Sequence, residues 1–138
     1  MKITSSYKVQ IKQYRHIFDD TVRIYRDTVD FLISVCLENW NEISALDGML
    51  LRKSYVENLI HKTKEHPHPK YEFDAVFYKF PSYLRRDAIA CAIGKVSSHK
   101  SSLSNWEASD MTTRGAEPGI PKAGFEFPCM YKTVMYQR

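Results

Sequence analysis

This chain of 138 residues has few of the groups that usually announce a function. It holds three cysteines, Cys36, Cys91 and Cys129, widely spaced and without a C-x-x-C pair. That pattern argues against a disulfide framework and a zinc knuckle, and the thiols read as reduced. With 5 glycines and 6 prolines, the chain has no Gly-rich dinucleotide fingerprint and no P-loop, and G-x-S-x-G and H-E-x-x-H are absent too. No apolar run approaches the ~18 residues of a membrane span. The opening stretch MKITSSYKVQ lacks the apolar centre of a signal peptide. These absences predict a soluble, cytoplasmic protein that does not engage a membrane. They also predict no cofactor, no metal and no catalytic residues, so the chain alone is not expected to be an enzyme.

What is present is the composition of one globular domain, 43% hydrophobic and 26% charged, long enough to bury a core. The charge is unevenly placed. Lys2, Lys8, Lys12 and Arg15 give residues 1–15 a charge of +4 with no acid. Residues 16–78 carry seven Lys/Arg against eleven Asp/Glu, net −4, and residues 79–138 carry nine against five, net +4. A polyanion would meet the two ends more readily than the middle; solvated surface charge is the alternative.

Along residues 1–13, Tyr7, Val9 and Ile11 alternate with Lys8, Gln10 and Lys12, a period of two that predicts a half-buried strand with lysines on its other face. Residues 14–108 then read as helical. Phe18, Val22, Tyr25, Val29, Leu32 and Cys36 recur at steps of four and three, with Ile33, Leu37 and Trp40 widening the stripe. This predicts one amphipathic helix from His16 to Trp40, with Asp19 and Asp20 suited to its positive end. The stripe is either the core of a bundle or a seam for a partner helix or a second copy. Asp47-Gly48 breaks the pattern. Ser54-Tyr55-Val56-Glu57 has the form of a capping box and predicts the start of a short helix there. His66 and His68 alternate with Pro67 and Pro69; two histidines at i, i+2 in such a segment point apart and predict no metal site.

A third helix is expected over FPSYLRRDAIACAIGKVSSHKSSLSNW, with Pro81 in its first turn and Ile89, Ile93, Val96 and Leu103 as its apolar stripe. Ala88, Ala90, Ala92 and Gly94 make it thin enough for a neighbouring helix to approach closely. Lys95, His99 and Lys100 among the serines suit phosphate contacts, or a frayed, solvated end. Trp106 could stack on a base or belong to the core. Residues 109–124 read as a loop and residues 125–138 as a returning strand. The fold class expected is mainly α with flanking β, a helical bundle inserted between two terminal strands.

The basic strand YKVQIK, the long helix, the segment LRRDAIACAIGKVSSHKSSL and the turn GIPKAGFEFP, in that order, resemble the N-terminal part of TnpB-like (OrfB-type) insertion-sequence transposases. These are relatives of type V CRISPR nucleases. The resemblance implies that the terminal strands belong to an incomplete β-barrel and that the helices form a recognition-like lobe. It further implies that the chain takes part in DNA transposition, with a structured guide RNA and target DNA as partners. Lys2, Lys8, Lys12, Arg15, Lys95, His99, Lys100 and Lys122 are then expected as phosphate contacts, with Trp106 as a stacking group. The family's metal-binding carboxylates and zinc ribbon lie downstream of the matched part, so the chain reads as a truncated piece without the nuclease domain.

Overall fold

The computed structural model describes residues 16–124 and is helical wherever it is regular. Five helices follow in order: α1 (Ile17–Glu38), α2 (Trp40–Ala45), α3 (Met49–Ile60), α4 (Phe73–Val76) and α5 (Ser82–Ala108). The helical bundle expected between the chain ends is present. The two flanking strands, at 1–13 and 125–138, fall outside the described residues, and no strand occurs among those described.

The periodic stripe of α1 is core. Tyr25, Val29, Leu32, Ile33 and Cys36 are buried, as are Ala88, Ile89, Ala92, Ile93 and Val96 of α5. The seam between these two long helices is the most extensive in the bundle, and α3 covers a second side of α5 with Val56 and Ile60. Alanines at 88 and 92 bring the backbones close, so the α5 face toward α1 is thin where the α1 face is bulky. The stripe is not uniform, however: Phe18 at its start is 52% exposed. Burial of the rest leaves the partner-helix reading little surface along Tyr25 to Cys36.

Three expectations change. The helix foreseen from His16 to Trp40 breaks at Asn39, whose φ of −115° and ψ of 20° interrupt the helical run. The Asn39 side chain is buried, donates through Nδ2 to the Val35 carbonyl (2.8 Å) and to the Tyr71 hydroxyl (2.9 Å), and accepts from Lys70 Nζ (3.0 Å). A polar side chain with this many partners competes successfully with the helix ladder. Tyr71 in turn donates to Glu38, and burial together with that hydrogen bond raises its phenol above the ordinary tyrosine range.

The second correction concerns Ser54–Glu57. The helix begins at Met49, six residues earlier than the capping box implied, because Gly48 with φ +90° turns the chain where Asp47-Gly48 was expected to break it. Glu57 serves a long-range role instead. Its Oε1 accepts from Arg85 Nη2 at 2.8 Å, and Arg86 Nε lies 3.5 Å away. Thirdly, Pro81 sits at the N-cap of α5, one residue before the first turn, and α4 was not foreseen. Its Phe73 is fully buried and meets Phe31, Phe77 and Phe80 at ring-centroid distances of 5.1–5.8 Å. Of the histidines, His61 Nδ1 lies 2.9 Å from Asp74 Oδ2, joining the end of α3 to α4. No described helix is long and apolar enough to cross a membrane.

The buried Cys36 makes the core pH-sensitive on the alkaline side. Burial pushes its thiol from 9.0 up to about 12. A raised folded pKa means the neutral thiol is favoured in the fold, so its contribution is whole below pH 9 and is lost between pH 9 and about 12. Urea unfolding should show stability falling as pH rises through that window. A Cys36→Ala variant should be less stable at pH 8 but show a shallower alkaline decline. Parallel declines in the two proteins would contradict the assignment.

Candidate nucleic-acid interface

After α5 ends, the chain turns on Asp110. The Thr112 amide donates to Asp110 Oδ1 at 3.0 Å, while the Thr113 and Arg114 amides donate to the Asp110 carbonyl. The hydrogen bonds from Thr112 hold the Asp110 carboxyl below its ordinary value. Such a turn reverses the chain, and residues 115–124 run back along α5 toward its middle.

Two fastenings hold this returning loop. At one end Trp106 Nε1 donates to the Gly115 carbonyl at 2.8 Å, and the Arg114 guanidinium lies 3.9 Å from the indole centroid. At the other, the Ala123 amide donates to Asp30 Oδ1 of α1 at 2.7 Å. The loop thus spans from the end of α5 across to α1. Between the fastenings, Pro118, Gly119, Pro121 and Lys122 form one wall of a groove of about 660 Å³.

The other wall is α5. Ala90, Gly94, Ser98 and Ser102 are four residues apart and make one row; Cys91, Lys95 and His99 make the next. Residues four apart share a helix face, so the floor is small and hydroxyl-bearing and its edge carries the Lys95 ammonium and the His99 imidazole. Lys122 supplies a second ammonium from the loop. Among the described residues, no carboxylate lines the groove. Gly94 is informative because a mid-helix glycine costs about 0.5–1 kcal/mol relative to alanine. A Cβ built there would meet nothing within 4 Å. No neighbour requires the glycine; what it leaves open is the groove.

Of the residues expected at a polyanion site, Lys95, His99 and Lys122 are brought together here. Lys100 is half-buried and falls in the row of Ala92 and Val96, away from the groove lining. Trp106 lies at the base of the loop with one ring face occupied by Arg114. Lys2, Lys8, Lys12 and Arg15 fall outside the described residues. The serine-rich stretch read as offering phosphate contacts supplies Ser98 and Ser102 to the lining, while Gly94, Pro118 and Gly119 were not expected there. The four-residue recurrence of Ala90, Gly94, Ser98 and Ser102 on α5 was the available signal. The close approach that Ala88, Ala90, Ala92 and Gly94 allow is made by α1 at Ala88 and Ala92 and by the returning loop at Ala90 and Gly94.

The chain belongs to the Aq_aa04 family, which it matches over residues 3–138. It is similar to a protein of Aquifex aeolicus (strain VF5) named "Uncharacterized protein aq_aa04", with 28% identity over 135 residues, covering 90% of this chain and 76% of that protein. No solved structure matches.

The Trp106 fastening can be tested directly. A hydrogen bond and a cation–π contact at an exposed site together contribute about 1–2 kcal/mol. Trp106→Ala should therefore raise loop opening roughly tenfold, read as faster hydrogen exchange of the Ala123 amide and faster cleavage after Lys122. Unchanged exchange would show that the loop is held by other contacts.

Proposed function

We propose that the chain is a nucleic-acid-binding helical domain whose groove between α5 and the returning loop takes the phosphodiester backbone. The observation that carries this is the lining: Lys95, His99 and Lys122 around a floor of small and hydroxyl side chains, with no carboxylate among the described residues. Ammonium groups and serine hydroxyls are the usual partners of phosphate oxygens. Indole stacking is a minor part of the design, since Arg114 covers one face of Trp106. Binding is accordingly expected to follow backbone charge more than base identity.

Residues 1–15 carry a further net +4 in the sequence, and the net −4 of residues 16–78 favours a polyanion meeting α5 over the earlier helices. The transposase reading is narrower: a structured guide RNA and a target DNA, held without cleavage by this chain alone. That part is supported by the sequence resemblance; the groove supports the polyanion.

The test is a titration of structured RNA, single-stranded DNA and duplex DNA by fluorescence anisotropy. About five phosphate contacts give a slope of log K against log salt of roughly −4. The double variant Lys95→Ala with Lys122→Ala should weaken binding to every sequence alike and reduce the slope by roughly 1.5–2. Absence of salt-sensitive binding at 50 mM salt would sink the proposal. Binding to RNA alone would favour the guide-RNA reading.

A further inference from the structure

A second surface, unrelated to the groove, lies where α1 meets the segment between α4 and α5. Ile24, Asp27, Val76, Phe77, Tyr78 and Phe80 line a cleft of about 310 Å³. That is the bottom of the roughly 300–1,000 Å³ range of ligand pockets, room for one ring. Its lining is mixed: Ile24, Val76, Phe77 and Phe80 supply apolar wall, and Asp27 is the one carboxylate among the described lining residues. The matching guest is therefore an aromatic ring that ends in a hydrogen-bond donor, which describes tyrosine.

The chain presents that guest on the rim of the same cleft. Tyr78 is 80% exposed. It stands on a turn closed by the Phe80 amide and the Phe77 carbonyl at 3.3 Å. Lys79 in that turn has φ +58°, a left-handed conformation rare for a residue with a long side chain. Backbone strain of this kind persists where the surroundings enforce it, and it concentrates at functional positions. Here it projects Tyr78 into solvent. Lys79 Nζ sits 5.5 Å from the Tyr78 ring centroid, so a cation travels with the phenol.

We infer that the chain pairs with a second copy of itself by reciprocal insertion of Tyr78 into this cleft. A two-fold interface uses the same patch twice, so knob and hole must sit on one surface, as they do here. Each Tyr78 ring enters between the partner's Ile24, Val76 and Phe80, its hydroxyl donates to the partner's Asp27, and Lys79 arrives beside that carboxylate. Ile24 at 41% and Val76 at 61% exposure are then covered. The contact is compact, which places it among weak, concentration-dependent associations.

Sedimentation or light scattering from micromolar to several hundred micromolar protein tests this. The mass should rise from 16.1 kDa toward twice that value. Tyr78→Ala should weaken association at least about tenfold, Tyr78→Phe should weaken it less, and Lys95→Ala should leave it unchanged. Because Tyr78 is exposed, its variants should keep the helical circular dichroism of the parent, which separates lost pairing from lost folding. A parent that stays at 16.1 kDa throughout, or a Tyr78→Ala variant that pairs as tightly as the parent, would overturn the inference.

Discussion

The close seam between α1 and α5 is the constraint on which the other features rest. Ala88 and Ala92 are fully buried opposite a bulky α1 face that includes Val29 and Leu32, and small residues on one helix let the larger side chains of the other fill the space between axes. A larger residue at either alanine would force the helices apart at a cost of about 1–3 kcal/mol. The seam also fixes the angular position of α5. With Ala88, Ala92 and Val96 turned inward, Ala90, Gly94, Ser98 and Ser102 are turned toward the returning loop. Core packing thereby decides which residues form the groove.

Polar contacts then set the joints between elements. Arg85, only 5% exposed, is held by Glu57 and ties α5 to α3; its Nε has no partner among the described residues. A buried ion pair of this kind is weak evidence for net stability, but leaving either charge alone is costly. Its clearer consequence is register, since the guanidinium fits only where a carboxylate meets it. Asn39 and Tyr71 fix the bend between α1 and α2 by the same logic. The Ala123–Asp30 hydrogen bond brings the loop to α1, so the groove wall is fastened to the same two helices that form the core.

Much of the helical framework was legible in the sequence because it depends on local pattern. The four-three spacing from Val22 to Cys36 marks α1, and Pro81 followed by Ile89, Ile93 and Val96 marks α5. Gly48 announces the break before α3. The failures have a common origin. Met49, Leu50 and Leu51 are exposed while Val56 and Ile60 are buried, so α3 carries little periodic signal and its start was misplaced. Glu57 looked like a capping residue because its true partner, Arg85, is 28 residues away. At the groove, Lys95 and His99 stand out by charge and local composition, and Lys122 by the family resemblance. That they share one site depends on the loop folding back along α5, which no local pattern encodes.

The central claim is that the face of α5 turned away from α1 is kept open for a polyanion, and Gly94 tests it most directly. Gly94→Ala should stabilise the helix by about 0.5–1 kcal/mol, since no neighbour crowds a Cβ there. Gly94→Leu should leave the thermal midpoint close to that of the alanine variant, because its side chain enters the groove and not the core. If the account is right, Gly94→Leu loses salt-sensitive RNA and DNA binding while the fold stays intact. Undiminished binding by a folded Gly94→Leu protein would contradict it.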